Sequence, residues 1–260
     1  MSGWLHALPV VWMALIVFGA TYFAAFVLHK GVAALSAGSA ARSLKGFSPS
    51  MLPPLGIIFG LFVAFTAAQV WSDNDHATAA VNQEASALRS VVVLASSFPG
   101  EPEKRLRTMV RRYIEETANQ EWPLMAEGAA TLSIIPPALS EALQTTLALT
   151  PASPGQEIAQ REITRSLEDV LEARRQRILV SHAHINLTKW ACLILQAICA
   201  LLAIAIVHSE NRPASAIALG TFATGVAASI LLILAHDRPF TGEIAVSVEP
   251  LLQVMPEDRS

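Results

Sequence analysis

Cysteine is nearly absent: only Cys192 and Cys199 occur in 260 residues. They stand seven apart in one apolar run, roughly 10 Å along a helix axis, too far for a bridge between them. Both read as buried, inert thiols. An excess of basic charge is also missing. The formal net charge of -3 excludes the basic surface that a nucleic-acid partner requires. Charged residues of either sign make up only 15% of the chain against 53% hydrophobic residues, too apolar a balance for an ordinary soluble domain. Catalytic signatures are lacking too: no glycine-rich phosphate loop, no paired-cysteine zinc motif, no H-E-x-x-H and no nucleophile elbow. His182 and His184 stand two apart, about 200° round a helix, so they do not share a face for a metal. No enzyme, cofactor or metal centre is expected from this set.

The charge that is present is segregated. Residues 72–187 hold 11 of the 18 Lys and Arg and 15 of the 21 Asp and Glu. A bilayer imposes such a pattern, because a charge at the midplane costs several kcal/mol. Four runs without a Lys, Arg, Asp or Glu reach the ~20 residues a spanning helix needs: about Leu8–Leu28, Met51–Trp71, Trp190–Val207 and Pro213–Ala235. Pro53, Pro54 and Pro213 suit first helical turns. The first run lacks a basic segment before it and is long for a signal peptide, so it reads as a span. Trp4, Trp12, Trp71 and Trp190 lie at or near span ends, where amphipathic rings favour the interface. Gly56 with Gly60, Ala216 with Gly220, and Thr221 with Gly225 are small-xxx-small pairs that let backbones approach in lipid.

The expected fold is an all-α membrane protein with a helical extramembrane domain between the second and third of four transmembrane helices. Residues 1–71 form the first two spans with a short basic loop, 72–187 the helical water-facing domain, 188–236 the last two spans, and 237–260 a C-terminal tail. The second helix runs on past the membrane, with Val81, Ala85, Leu88, Val92 and Ala95 as an apolar stripe, until Phe98-Pro99-Gly100 breaks it. A helix over about Glu103–Trp122 follows, with Pro123 stopping or bending it. A short helix lies near 137–149. A last long helix runs from about Gln156 into the third span, with Ile163, Leu167, Leu171, Ile178 and Ile185 as its apolar face. The alternation of Ile244, Val246 and Val248 is too short to make a sheet alone.

Candidate functional residues cluster on the second helix. Phe59, Phe62 and Phe65 at +3 steps occupy about 120° of arc. They suit a hydrophobic constriction in an oligomeric pore, and equally lipid contact or helix packing. Gln69 and Asp73 follow as polar mouth residues, with Asp75 and His76 beside them. The basic residues from Lys104 to Arg112, with Glu115 and Glu116, suit a solvated face with i,i+4 pairs, or a patch that attracts small anions.

Three stretches carry a resemblance to a known family: GLFVAFTAAQVWSDNDHATAAVNQEASALRSVVVLASSFP at 60–99, LRTMVRRYIEETANQEWPLM at 106–125, and DRPFTGEIAVSVEPL at 237–251. Their most specific parts are Glu121-Trp122-Pro123 and Arg238-Pro239-Phe240-x-Gly242. The chain from Pro54 onward resembles a bacterial membrane family labelled bestrophin-like. The resemblance implies four spans in a bacterial inner membrane, and kinship with bestrophins, pentameric anion channels whose pores are lined by the second helix. It implies a lipid-embedded homo-oligomer with small anions as partners. No acidic calcium clasp of the bestrophin type is visible. The two specific runs each set charge beside an aromatic and a proline, as a helix end docking on a neighbour does. Without a channel, the charged domain suits a membrane-anchored sensing or interaction protein. The spans lack the ionisable residues of a transporter or intramembrane enzyme.

Orientation follows the basic residues of short loops. Lys30, Arg42 and Lys45 lie between the first two spans and Arg212 between the last two. This places those loops in the cytoplasm and the long domain outside, although Arg174, Arg175, Arg177 and Lys189 precede the third span. The bestrophin arrangement has the domain in the cytosol. In a background without Cys192 and Cys199, Ser133→Cys separates the two. The loop charges predict labelling by a membrane-impermeant maleimide in intact cells; protection until lysis assigns the cytosolic arrangement.

Overall fold

The computed structural model describes residues 8–36 and 48–257, and every regular element among them is helical. Trp4, Arg42 and Lys45 lie outside the described residues. The helices are α1 (Val10–Ser36), α2 (Leu52–Ala95), α3 (Glu101–Glu116), α4 (Trp122–Ala126), α5 (Pro137–Leu147), α6 (Pro154–Ser181), α7 (Leu187–Val207), α8 (Arg212–His236) and α9 (Glu249–Leu252). A five-residue π-turn, Thr117–Glu121, joins α3 to α4. Helices α1, α7, α8 and the first half of α2 are long and apolar enough to cross a membrane. The protein is thus an all-α membrane protein, and its chain divides into two compact units.

The first unit comprises residues up to Trp71 together with His184–Asp237. Its helices are apolar on every side, as lipid demands. Helix α1 buries Met13, Val17, Thr21, Ala25 and Val32 at helical spacing and exposes Trp12, Leu15, Phe23 and Phe26. Polar side chains here are few and paired. The Tyr22 hydroxyl lies 2.8 Å from Thr224 Oγ1, and His29 Nδ1 lies 3.2 Å from Ser215 Oγ. Asn186 and Asn211 cap α7 and α8 by accepting from Lys189 N–H and Ala214 N–H, satisfying backbone donors that a helix leaves open. The small-residue pairs do not meet a neighbour within the chain: nothing lies within 4 Å of a Cβ built on Gly56, Gly60, Gly220 or Gly225.

The second unit comprises Ser72–Ala183 and the residues from Arg238 onward. Here α2, α3, α5 and α6 bury one stripe each, including Val81, Leu88, Leu106, Val110, Leu139, Ile163 and Leu167. The segment expected as a C-terminal tail is folded into this core through Phe240 and Leu251. Gly242, at φ +93°, takes a backbone conformation that costs glycine little. Beyond it the chain turns back, and Val246 N–H donates to the Pro239 carbonyl at 2.7 Å.

Three sequence expectations are corrected. The helix from Gln156 does not continue into the third span. It stops at Ser181, and the chain turns through 182–186 before Asn186 starts α7. Asp237 Oδ1 holds the turn by accepting from Ile185 N–H at 2.7 Å. Pro123, expected to stop or bend the helix from about Glu103, stands in the first turn of α4, after α3 has ended at Glu116. The π-turn before it widens the spiral, with Trp122 N–H reaching the Thr117 carbonyl, which accommodates a residue that lacks an N–H and crowds the preceding turn. Cys192 and Cys199 are exposed, not buried, because a span is apolar on its outer face as well. Trp190, expected at the interface, is buried in the chain beside Leu193 and Ala197.

Candidate functional site

The residues singled out on α2 separate by face. Phe59 is buried, its ring 5.8 Å from that of Phe222. Phe62 is half-buried against the same cluster, and Phe65 is 68% exposed. With Phe65 on the outward side stand Ile57, Ile58 and Leu61, all large, apolar and exposed. Gln69 is exposed, and its Oε1 accepts from Lys189 Nζ at 2.5 Å. Asp73 is half-buried in the second unit. The three phenylalanines therefore do not form one surface: each +3 step drifts about 60° round the helix, so Phe59 and Phe65 point about 120° apart. The outward apolar row instead follows Ile58, Leu61 and Phe65, at steps of three and four.

The Arg, Glu and Tyr residues inside the second unit form a separate site. Arg177, on α6, is fully buried. Its Nε donates to Glu84 Oε2 at 2.7 Å, and its Nη2 to Glu84 Oε1 at 3.1 Å and Glu121 Oε1 at 2.7 Å. Nη1 points to Met125 Sδ at 3.2 Å, and the guanidinium stands 5.2 Å from the Trp122 ring centre. Glu84, also fully buried, accepts from the Tyr113 hydroxyl at 2.5 Å. One turn before Arg177, Arg174 donates to Glu121 Oε2 through Nε and Nη2, at 2.8 and 2.5 Å. Two guanidiniums and two carboxylates thus balance inside an apolar core. That balance is what lets Arg174, Arg177 and Glu84 remain buried beside a partly exposed Glu121.

Protonation follows from this geometry. Burial works against the charged Arg177, but the Glu84 carboxylate, Tyr113 and Glu121 outweigh it and hold its pKa above the ordinary value. Burial raises the Tyr113 phenol well above its usual range, and the Glu84 charge raises it further.

The two sequence runs noted above meet here. Glu121 bridges both arginines, and Trp122 packs edge-on against Phe240 at 5.5 Å and 86°. Thr241 Oγ1 donates to the Ala126 carbonyl at 2.7 Å. Sequence reasoning missed Glu84 and the pairing of Arg177. The available signal was Glu84 lying three residues after Val81 and four before Leu88, inside a buried stripe, and Arg177 next to Ile178. His182 Nε2 lies 2.9 Å from the Ala130 carbonyl. No group of three metal-ligating side chains occurs among the described residues.

The sequence model of the bestrophin-like domain matches residues 19–251 of the chain. Two solved structures are similar to it, both of single-substitution variants of a bacterial bestrophin homologue from Klebsiella pneumoniae. One has a TM-score of 0.71 at 11% identity, covering 93% of this chain and 97% of that one. The other has a TM-score of 0.70 at 13% identity, covering 94% and 99%. A comparison with curated proteins found no match.

Two predictions follow from the buried charges. Glu84→Ala leaves Arg177 in the core with half its anionic partners. It is expected to cost about 3–5 kcal/mol, read as a lowered Tm of the full chain in detergent; an unchanged Tm contradicts the account. Tyr113 titrates higher when folded than the ~10 of an unfolded phenol. Its contribution is complete below about pH 10 and is lost as pH rises toward the folded value. Wild type is therefore expected to lose Tm more steeply above about pH 10 than Tyr113→Phe does.

Proposed function

The chain belongs to the bestrophin-like family, and from that premise we propose that it assembles as a homo-oligomer around a pore for small anions, lined by α2. The observation that carries this reading is the outward row of Ile58, Leu61 and Phe65 on α2. Its partners lie outside the chain, and it contains no charge. Ringed around an axis, such a row makes an apolar constriction that gates by dewetting. Phe65 is the proposed narrow point, because aromatic edges carry partial positive charge and favour an anion over a cation. Phe59 and Phe62 support the wall from behind through the Phe222 contact. Gln69 and the Lys189 ammonium beside it offer polar and positive groups at one end of the span, and Asp73 lies beyond them at the mouth.

The small-residue pairs support assembly. Gly56 and Gly60 on α2, and Gly220 and Gly225 on α8, leave room at their Cβ positions for another helix. The membrane is read as the bacterial plasma membrane.

The test is mass of the purified full chain in detergent, with flux from liposomes holding the same sample. A defined oligomer passing chloride in preference to potassium is expected. Phe65→Ala is expected to raise that flux, about tenfold for each ~1.4 kcal/mol of barrier removed. A monomer without flux overturns the proposal.

A further inference from the structure

The second unit contains a cavity of about 200 Å³ beside the π-turn. Arg174, Thr117, Glu121, Leu124, Ala130 and Ile134 are among the residues lining it. Two donors on its wall, carried by largely buried residues, have no hydrogen-bond partner among the described residues. Arg174 is 6% exposed, and its Nε and Nη2 are engaged by Glu121 and the Ile134 carbonyl. Its Nη1 group makes no hydrogen bond among the described residues. Thr117 is 2% exposed, and its hydroxyl, which lines the cavity, likewise makes no hydrogen bond among the described residues.

That hydroxyl differs from those of several other helical threonines. The helical threonines Thr66, Thr108, Thr146 and Thr164 each donate to the carbonyl four residues earlier. Thr117 opens the π-turn, and the Tyr113 carbonyl it would otherwise use already accepts its own backbone N–H. Both residues line the cavity, so its wall presents two donors to an acceptor that the described residues do not supply. The carboxylates around the cavity are already occupied: Glu121 by both arginines and Glu116 facing Arg112. The remaining lining is mostly apolar, with Leu124, Ala130 and Ile134 and the rings of Pro136 and Pro137 beside Tyr113, Gln120 and Thr131. Leu124 and Ile134 also reach the surface, which gives the cavity an apolar mouth.

We propose that this cavity binds a small carboxylate on a short apolar body, its oxygens accepting from Arg174 Nη1 and the Thr117 hydroxyl. A charged acceptor suits a guanidinium better than a neutral one does. A volume of about 200 Å³ matches roughly six or seven water-sized units at ~30 Å³ each, the scale of a four-carbon acid. The site lies in the helical domain and does not depend on the pore reading.

The test uses the full chain in detergent, with butyrate and butyramide as probes, by ligand-observed NMR titration. Butyrate is expected to receive saturation from the protein and butyramide to bind about tenfold more weakly or not at all. Thr117→Val is expected to weaken butyrate binding about tenfold, and Thr117→Ser to retain it. Ala130→Leu fills the cavity without touching either donor and is expected to abolish binding. Absence of butyrate binding to the wild type overturns the proposal. So does butyramide binding as tightly as butyrate, or butyrate binding unchanged in both Thr117→Val and Ala130→Leu.

Discussion

The helical domain depends on the bidentate pairing of Arg177 with Glu84. Two charges with no solvent contact are held at 2.7 and 3.1 Å, and every neighbouring feature follows from keeping them satisfied. Glu121 must reach the second Nη2 proton of Arg177, so α3 needs an extra residue before α4, and the π-turn supplies it. Trp122 then falls over the guanidinium, and Phe240 from the C-terminal segment closes on Trp122. Buried ion pairs add little net stability over an apolar core of the same shape. Their effect here is on register: sliding α6 by one turn along α2 would place Arg177 away from both carboxylates and leave the Arg177 and Glu84 charges unpaired in an apolar core.

The membrane unit is organised by a different constraint. Its helices gain nothing by hiding apolar surface from lipid, so packing rests on shape and on few polar links. Threonines and serines bond back to their own helices, as Thr21 does to Val17 and Ser229 to Gly225. The links between helices are single contacts such as Tyr22 with Thr224. On the proposed assembly, the room at the glycines of α2 and α8 is where a neighbouring helix would seat.

Much of this was legible in the sequence because lipid and water write different patterns. The four spans, the extension of α2 and the short helix after Pro136 follow from charge segregation, apolar stripes and proline placement. The break at 182–186 was not legible, because apolar spacing continues through Ile178 and Ile185 and the acceptor that closes the turn is Asp237, 52 residues away. The ion cluster was not legible for the same reason: Glu84 and Arg177 are 93 residues apart, and each alone resembles a solvated helical charge. The runs around Trp122 and Phe240 were visible as unusual, but only folding shows that they meet. On α2 the residue types were read correctly as apolar and aromatic, while the outward face required the neighbours, since Phe222 claims Phe59.

The most direct test of the proposed pore is a cysteine scan of α2 with flux as the readout, in a background lacking Cys192 and Cys199. The account predicts a helical pattern. A water-soluble thiol reagent alters chloride flux at Ile58→Cys, Leu61→Cys and Phe65→Cys, on the outward row, and leaves Ala67→Cys and Val70→Cys, which are buried, unmodified. Modification without effect on flux along the outward row, or an equal response at outward and buried positions, would contradict a pore lined by α2.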